Sequence, residues 1–487
     1  MLLFLLPAAV ATGVGLWEFT RVPLSNDEAV TVGVADRSVP QIIETMRHVD
    51  AVHGVYYLVM HFVVMIWGTG EVAARVPSLI GTAVAAGLLG LFGQMLRTWR
   101  AGLLAGLLFA CAPAASQYAQ NARPYGIVFA LVVGMTMALV AALTTGSNRF
   151  RIGMWLLYGV LLLVTVALHA LAVLLLPAYA IPVALTARRD RTWRPLAWWV
   201  SVSVVALLPL IPLARLIDQQ KGTAGWIRPP GWPATLNLSV ALAGGSFLLA
   251  AGALLVGFAY GQRGDRRLSA FAVAAPWLLI PPALMLVISQ FEPLYAFRYV
   301  AYCVPALALL GGVSLDRLAG PQHRWWLAVP VTAALIAGTL PANHAVRFQP
   351  TGVSSVNDLR AASNYLRDRK EPGDGIIFTA PGQRYLAAAY PAGYAGLEDV
   401  TVNETPAQNH TITGTDIDTA ATLVRLSSLH RVWTVKYFIW SGGEIAYRQR
   451  EQEMFGALHE AGFQWQDTHR IGAIAIALWV RPDSGGG

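Results

Sequence analysis

The sequence predicts a polytopic α-helical membrane protein with about eleven transmembrane helices and a small extracytoplasmic C-terminal α/β domain. Three observations carry this. Hydrophobic residues make up 55% of the 487 and charged residues 13%, with a mean hydropathy of +0.51, whereas soluble domains carry roughly 25% charged residues. Apolar runs long enough to cross a hydrocarbon core of ~30 Å, which takes ~20 helical residues, recur from Met1 to about residue 344. The charge is also divided: residues 1–344 hold 22 Lys and Arg against 12 Asp and Glu, and residues 345–487 hold 13 against 15. The basic excess thus lies in short joints between apolar runs, the positive-inside pattern, and calls for no nucleic-acid partner. Disorder is excluded by the low charge together with 16 Trp, 16 Tyr and 17 Phe.

In order, the spans are expected at about 2–17, 76–96, 101–117, 125–144, 153–168, 170–186, 196–216, 236–259, 268–289, 299–315 and 325–341. Thirteen arginines gather in five alternate joints: RTWR (97–100), NRFR (148–151), ARRDRTWR (187–194), GQRGDRR (261–267) and DRLAGPQHR (316–324). Those joints are assigned to the cytoplasm, which sends the loop 18–75 and residues 345–487 outward. The first run opens without a basic region and is read as a retained span rather than a signal peptide. Residues 1–344, with the long first outer loop 18–75, form the expected membrane domain. Within that loop SVPQIIETMRH (38–48) is read as a helix started by Ser38 before Pro40. Val52 to Trp67 is read as a helix lying in the interface, with Tyr56, Tyr57 and Trp67 at headgroup depth. Cys111 and Cys303 lie in or beside apolar runs, so no disulfide framework or thiolate metal site is expected.

From about residue 345 helical and strand patterns alternate: helix 356–370, strand 373–381, helix 416–429, strand 431–438, helix 447–463 and strand 471–480. That alternation predicts an α/β layer domain over 345–487.

Under this topology polar residues from five joints converge on the outer leaflet. They are Asp27 and Glu28, Asp50 and His53, Glu71 and Arg75, Tyr118, Arg123 and Tyr125, and Arg298 and Tyr299, with His169 at the outer end of another span. Ionisable groups at membrane depth are costly and are functional candidates by default. Each also has a structural reading. Asp27 and Glu28 suit a helix N-terminus, and Glu71 and Arg75 an i,i+4 ion pair. Arg123 and Arg298 suit interfacial anchors, and His53 and His169 satisfied structural histidines.

The runs NDEA (26–29), DAVHGVYY (50–57), EVAARVPS (71–78), YAQNARPY (118–125) and FRYV with Pro305 (297–305) resemble, in this order, the C-type (GT-C) integral-membrane glycosyltransferases. The likeness is to their protein-mannosyltransferase-like branch, which includes the bacterial aminoarabinose lipid A transferases. The resemblance implies a sugar donor carried on a polyprenyl phosphate. It implies an acceptor among the glycans, lipids or proteins of the cell envelope, and a multi-pass protein of the cytoplasmic membrane working at its outer face. It makes Asp27 the acid at the reaction centre, with Glu28 beside it, and places Glu71 in the acceptor or donor pocket. His53, Tyr57, Arg75, Tyr118, Tyr125, His169 and Tyr299, from the same outer-leaflet cluster, are expected to bind substrate. Arg123 and Arg298 would hold the lipid phosphate. Gly54 follows His53 where many relatives have His-Pro-Pro, and Val72 stands where the lipid A transferases carry a basic residue.

The chemistry suits these residue types. A carboxylate can take the proton of an attacking hydroxyl, and guanidinium forks stabilise a leaving phosphate. No metal or other cofactor is expected to be obligatory. Two other classes stay open: a flippase or transporter of lipid-linked glycans, which places its charges near the midplane, and a non-catalytic glycan-binding membrane subunit, which lacks the working acid.

Overall fold

The computed structural model describes residues 1–220, 222, 229–231, 268–320, 325–348, 358–437 and 444–482. The expected span at 236–259 and the arginine-rich joint 261–267 lie outside the described residues. Contacts divide the chain into two compact units: Met1–Phe19 with Arg75–Phe348, and Thr20–Ala74 with Gln349–Gly487.

The first unit is helical. Among the described residues eight helices are long and apolar enough to cross a membrane, and nine if Trp99–Ala110 and Pro113–Ala119, bent by 60°, count as one span. The bend follows from Pro113, which opens the second helix because it has no N–H to continue the first. Leu2–Leu16 is a shorter apolar helix of 15 residues. These helices fall on the expected spans. Their starts are legible chemistry: Thr98, Ser147 and Ser269 each accept a backbone N–H of the first turn. Burial separates centre from periphery. The apolar window of Phe297–Ala319 is 83% buried, and that of Arg194–Gln219 only 11%, leaving a side suited to lipid. Close packing relies on small residues. A Cβ on Gly126 would stand 2.2 Å from the Ser78 carbonyl oxygen, and the Ser78 hydroxyl donates to the Arg123 carbonyl at 2.7 Å, so Glu71–Leu96 locks the start of Tyr125–Thr144.

The second unit contains a five-stranded sheet in the order β2-β1-β5-β7-β6. Its strands are β1 (Gly375–Phe378), β2 (Glu398–Asp399), β5 (Arg431–Tyr437), β6 (Gln464–Ile471) and β7 (Ile474–Val480), while β3 (Val402–Glu404) and β4 (Thr415–Asp416) pair separately. β1 runs parallel to β2 and β5, and β5, β7 and β6 are antiparallel. Ile377, Val432 and Trp479 of the sheet pack with Leu426, Met454 and Leu458 of helices Thr419–Ser427 and Glu444–Glu460.

Where the sequence attaches the loop 18–75 to the membrane domain, its contacts group residues 20–74 with the sheet. The cause is a set of long-range hydrogen bonds. The Tyr390 hydroxyl accepts from the Leu24 N–H at 2.8 Å and donates to Glu71 Oε1 at 2.5 Å. Asn26 donates to the Tyr437 hydroxyl at 2.8 Å, and Arg360 donates to the Thr20 carbonyl at 2.9 Å. The segment forms helices Asn26–Ala35, Val39–His48 and Gly54–Trp67. Ser38 caps the second as expected, in a capping box with Gln41 and with Pro40 in the first turn. The headgroup-depth reading of Tyr56 and Tyr57 is corrected: both are fully buried, and Tyr57 packs on Val34 and Ile42. The exposed side chains of that helix, Phe62, Met65, Ile66 and Trp67 with Val59, lie mostly toward its far end.

Candidate functional site

The carboxylates foreseen from sequence lie in the second unit. Ser25 opens helix Asn26–Ala35, and Asp27 and Glu28 occupy its first turn. Glu28 is 2% exposed, and its carboxylate accepts from the Ser25 N–H at 2.9 Å and hydroxyl at 3.0 Å. It forms the reciprocal half of a capping box, so its first duty is to hold the turn that presents Asp27. Successive helical side chains diverge by about 100°, so the two acids point in different directions.

Asp50, His53 and Tyr57 make a second group. His53 Nδ1 lies 2.6 Å from Asp50 Oδ1, and the Tyr57 hydroxyl donates to Asp50 Oδ2. The carboxylate holds the imidazole in one tautomer and orientation. Asp50 adopts a left-handed conformation (φ 58°), a local strain that side chains of Asn and Asp tolerate better than most. Glu71 is bonded to Tyr390 and lies 3.4 Å from Arg360 Nε. Burial, and then the Glu71 carboxylate, raise the Tyr390 pKa, which keeps its proton on this bond.

Aromatic and cationic groups gather in the first unit. The rings of Tyr118 and Tyr125 lie 4.8 Å apart, with Phe297 6.4 Å from Tyr118 and His169 5.9 Å from Tyr125. His169 interrupts two helical segments with an extended backbone. Its Nε2 lies 2.9 Å from the Tyr299 carbonyl oxygen, and Arg298 stacks 5.4 Å from the Tyr299 ring centroid. Tyr118, Tyr125, His169, Arg298 and Tyr299 therefore form one collar from three stretches of sequence. Arg123 and Arg75 are buried in the same unit at 6% and 2% exposure. Arg75 donates to the Phe19 carbonyl at 3.0 Å.

Sequence reasoning assigned no part to Asp50's hold on His53, to Tyr390 and Arg360 around Glu71, or to Arg347. Arg347 is 1% exposed and donates to the carbonyls of Trp17 (2.8 Å), Asn343 (2.8 Å) and Val14 (2.6 Å) and to the Ser116 hydroxyl (2.5 Å). An arginine in the last turn of the apolar helix Trp325–Phe348 was the available signal. Among the described residues no three His, Cys, Asp or Glu side chains group as metal ligands.

No family model matches the sequence, and no curated protein matches it. Solved structures do. ArnT from Cupriavidus metallidurans, in a structure bound to undecaprenyl phosphate, is similar with a TM-score of 0.63 over 97% of both chains at 14% identity. The Archaeoglobus fulgidus oligosaccharyltransferase, in complex with Zn and sulfate, matches at 0.52 over 98% of this chain and 73% of that one, with 11% identity. The arabinofuranosyltransferase AftD from Mycobacteria matches at 0.51 and 14% identity, over 97% of this chain and 39% of AftD. With its row of apolar spans and its small sheet unit, the chain is a multi-pass membrane protein of the C-type glycosyltransferase fold.

Proposed function

We propose that the protein transfers a sugar from a polyprenyl-phosphate donor to a cell-envelope acceptor at the outer face of the cytoplasmic membrane. The observation that carries this reading is the collar of Tyr118, Tyr125, His169, Arg298 and Tyr299, in a fold shared with ArnT bound to undecaprenyl phosphate. Aromatic walls with a guanidinium suit an amphiphile whose anionic head adjoins a lipid tail. In this reading Asp27 takes the proton of the acceptor hydroxyl while its oxygen attacks the anomeric carbon. The bond from that carbon to the phosphate oxygen breaks, and polyprenyl phosphate leaves with its charge on Arg298, assisted by Arg123. His53, Tyr57, Glu71 and Arg75 belong to substrate binding, and no obligatory metal is invoked.

The test is transfer by the purified protein from a panel of polyprenyl-phosphate sugars, with products read by mass spectrometry and one arm in EDTA. Product formation that survives chelation is expected. Lipid binding without transfer from any donor would overturn the reading in favour of a carrier. The outward direction rests on the arginine bias, and the native thiols are buried, so labelling of introduced cysteines is clean. An impermeant reagent should modify Gln408→Cys and not Thr192→Cys in intact cells. The opposite pattern refutes the topology.

A further inference from the structure

Within the second unit helices Asn26–Ala35 and Val39–His48, strand β1 and the segment 384–412 line a cavity of about 430 Å³. Two arginines reach it and differ in how they are satisfied. Arg384 is neutralised by Asp399 at 2.6 Å and Asp416 at 2.7 Å. Those bonds outweigh the effect of burial and raise its pKa. Arg37 is 8% exposed, yet its side chain donates only to the Thr45 hydroxyl, at 2.8 Å, and makes no ion pair among the described residues. Burial lowers its pKa. Asp36 and Asp399 also line the cavity, Asp399 bound to Arg384 and neither paired with Arg37. A buried cation without its own anion is costly, and the space beside Arg37 is where one fits.

A second group on the same wall is also unsatisfied. The Tyr394 hydroxyl is buried with no hydrogen-bond partner, on a side chain 7% exposed. Its ring lies 6.0 Å from that of Phe378, which gives the wall a π surface, while Gln41 and Thr405 add uncharged polar groups. Aromatic faces take the C–H side of a pyranose, and neutral polar groups meet its hydroxyls. The volume falls within the range of about 300–1,000 Å³ found for small-molecule sites.

We propose that this cavity binds one anionic sugar unit, its carboxylate or phosphate on Arg37 and a ring hydroxyl on Tyr394. The choice of a sugar rests on the glycosyl-transfer reading, whereas the choice of an anion rests on Arg37 alone. A uronate and a sugar phosphate share this chemistry. The unit recognised would belong to the acceptor rather than to the donor lipid, since its chemistry is that of a hydrophilic glycan.

Calorimetry on the full-length protein in nanodiscs, without donor, tests this with glucuronate, glucose 6-phosphate, glucose and acetate. Saturable binding of glucuronate or glucose 6-phosphate is expected, and whichever binds tighter names the anion. Glucose and acetate should each bind at least tenfold more weakly. Arg37→Gln should weaken the anionic sugar by tenfold or more, with Arg37→Lys between, and Tyr394→Phe by a few-fold at an unchanged melting temperature. Should Arg37→Gln fail to fold, Arg37→Lys and Tyr394→Phe decide. The proposal is overturned by absence of binding to the wild type, by acetate binding as well as the sugars, or by folded variants binding like wild type. Asp27→Asn should leave this binding intact, so failure of the transfer reading and failure of this site are told apart.

Discussion

Arg347 and Arg384 are both buried, one in each unit, and they are held by different means. Arg347 donates to three backbone carbonyls and a serine hydroxyl and lies 4.5 Å from the Trp17 ring centroid. Arg384 meets two carboxylates. In the apolar unit neutral acceptors and a ring satisfy a cation without bringing a second charge out of water. In the sheet unit the desolvation of acids is offset by further hydrogen bonds, as where Thr401 also meets Asp399. The difference extends to the candidate clusters. The collar offers aromatic faces and a guanidinium, while Asp27, Asp50 and Glu71 all belong to the other unit. The proposed reaction would then draw phosphate recognition from the first unit and proton transfer from the second.

The largest effect expected from that division is on Asp27. Asp27→Asn keeps size and hydrogen bonding but accepts no proton, so turnover should fall ~10²–10⁴-fold with donor binding unchanged. A native rate would remove the proton-transfer role from Asp27 and make Glu28 or Glu71 the candidate. Next comes Arg298. Loss of one charge-assisted contact costs ~1.5–3 kcal/mol, so Arg298→Ala should lose about one to two orders of magnitude in donor affinity and turnover. Arg298→Lys, which keeps charge without the fork, should lose less. Donor affinity unchanged from the native protein in both variants would make Arg298 a membrane anchor and erase the contrast.

The parts legible in sequence were those encoded locally. Helix starts at Ser38 and Thr98 have their capping residues in view, strands β1 and β7 are apolar runs, and β5 is rich in β-branched and aromatic residues. Strand β6 was missed because Gln464–Ile471 is exposed along almost its whole length, an edge strand paired, among the described residues, with β7 alone. The grouping of residues 20–74 with the sheet was missed for another reason. It depends on contacts such as Tyr390 with Glu71, 319 residues apart, and no periodicity announces such pairs. The collar fell between these cases: its motifs were visible one at a time, but the meeting of Tyr125 with His169 is tertiary.

Tyr390 tests how firmly the second unit holds its N-terminal segment. Tyr390→Phe removes the acceptor of the Leu24 N–H and the donor to Glu71. Stranding these groups costs about 1–3 kcal/mol, although Arg360 still faces Glu71. The melting transition should fall, and protease should cut more readily between residues 20 and 74. Unchanged stability and protection would mean that the apolar contacts among these helices hold the segment by themselves.

The smallest effect is expected at Glu28, and it separates the two acids of NDEA. The Glu28 carboxylate accepts from Ser25, and the Ser25 hydroxyl accepts the Glu28 N–H in return. Glutamine also serves at this position of a capping box, so Glu28→Gln can keep the turn, and its cost should stay below about 1 kcal/mol. Turnover should then change little, because Asp27 is still presented from the same first turn. Glu28→Ala removes the reciprocal bond and should cost about 1 kcal/mol or more in stability, with a lowered rate that recovers at lower temperature. Measured side by side, the Gln variant isolates charge and the Ala variant isolates the cap. A folded Glu28→Gln protein that loses a hundredfold in turnover would make Glu28 the working acid and Asp27 its neighbour.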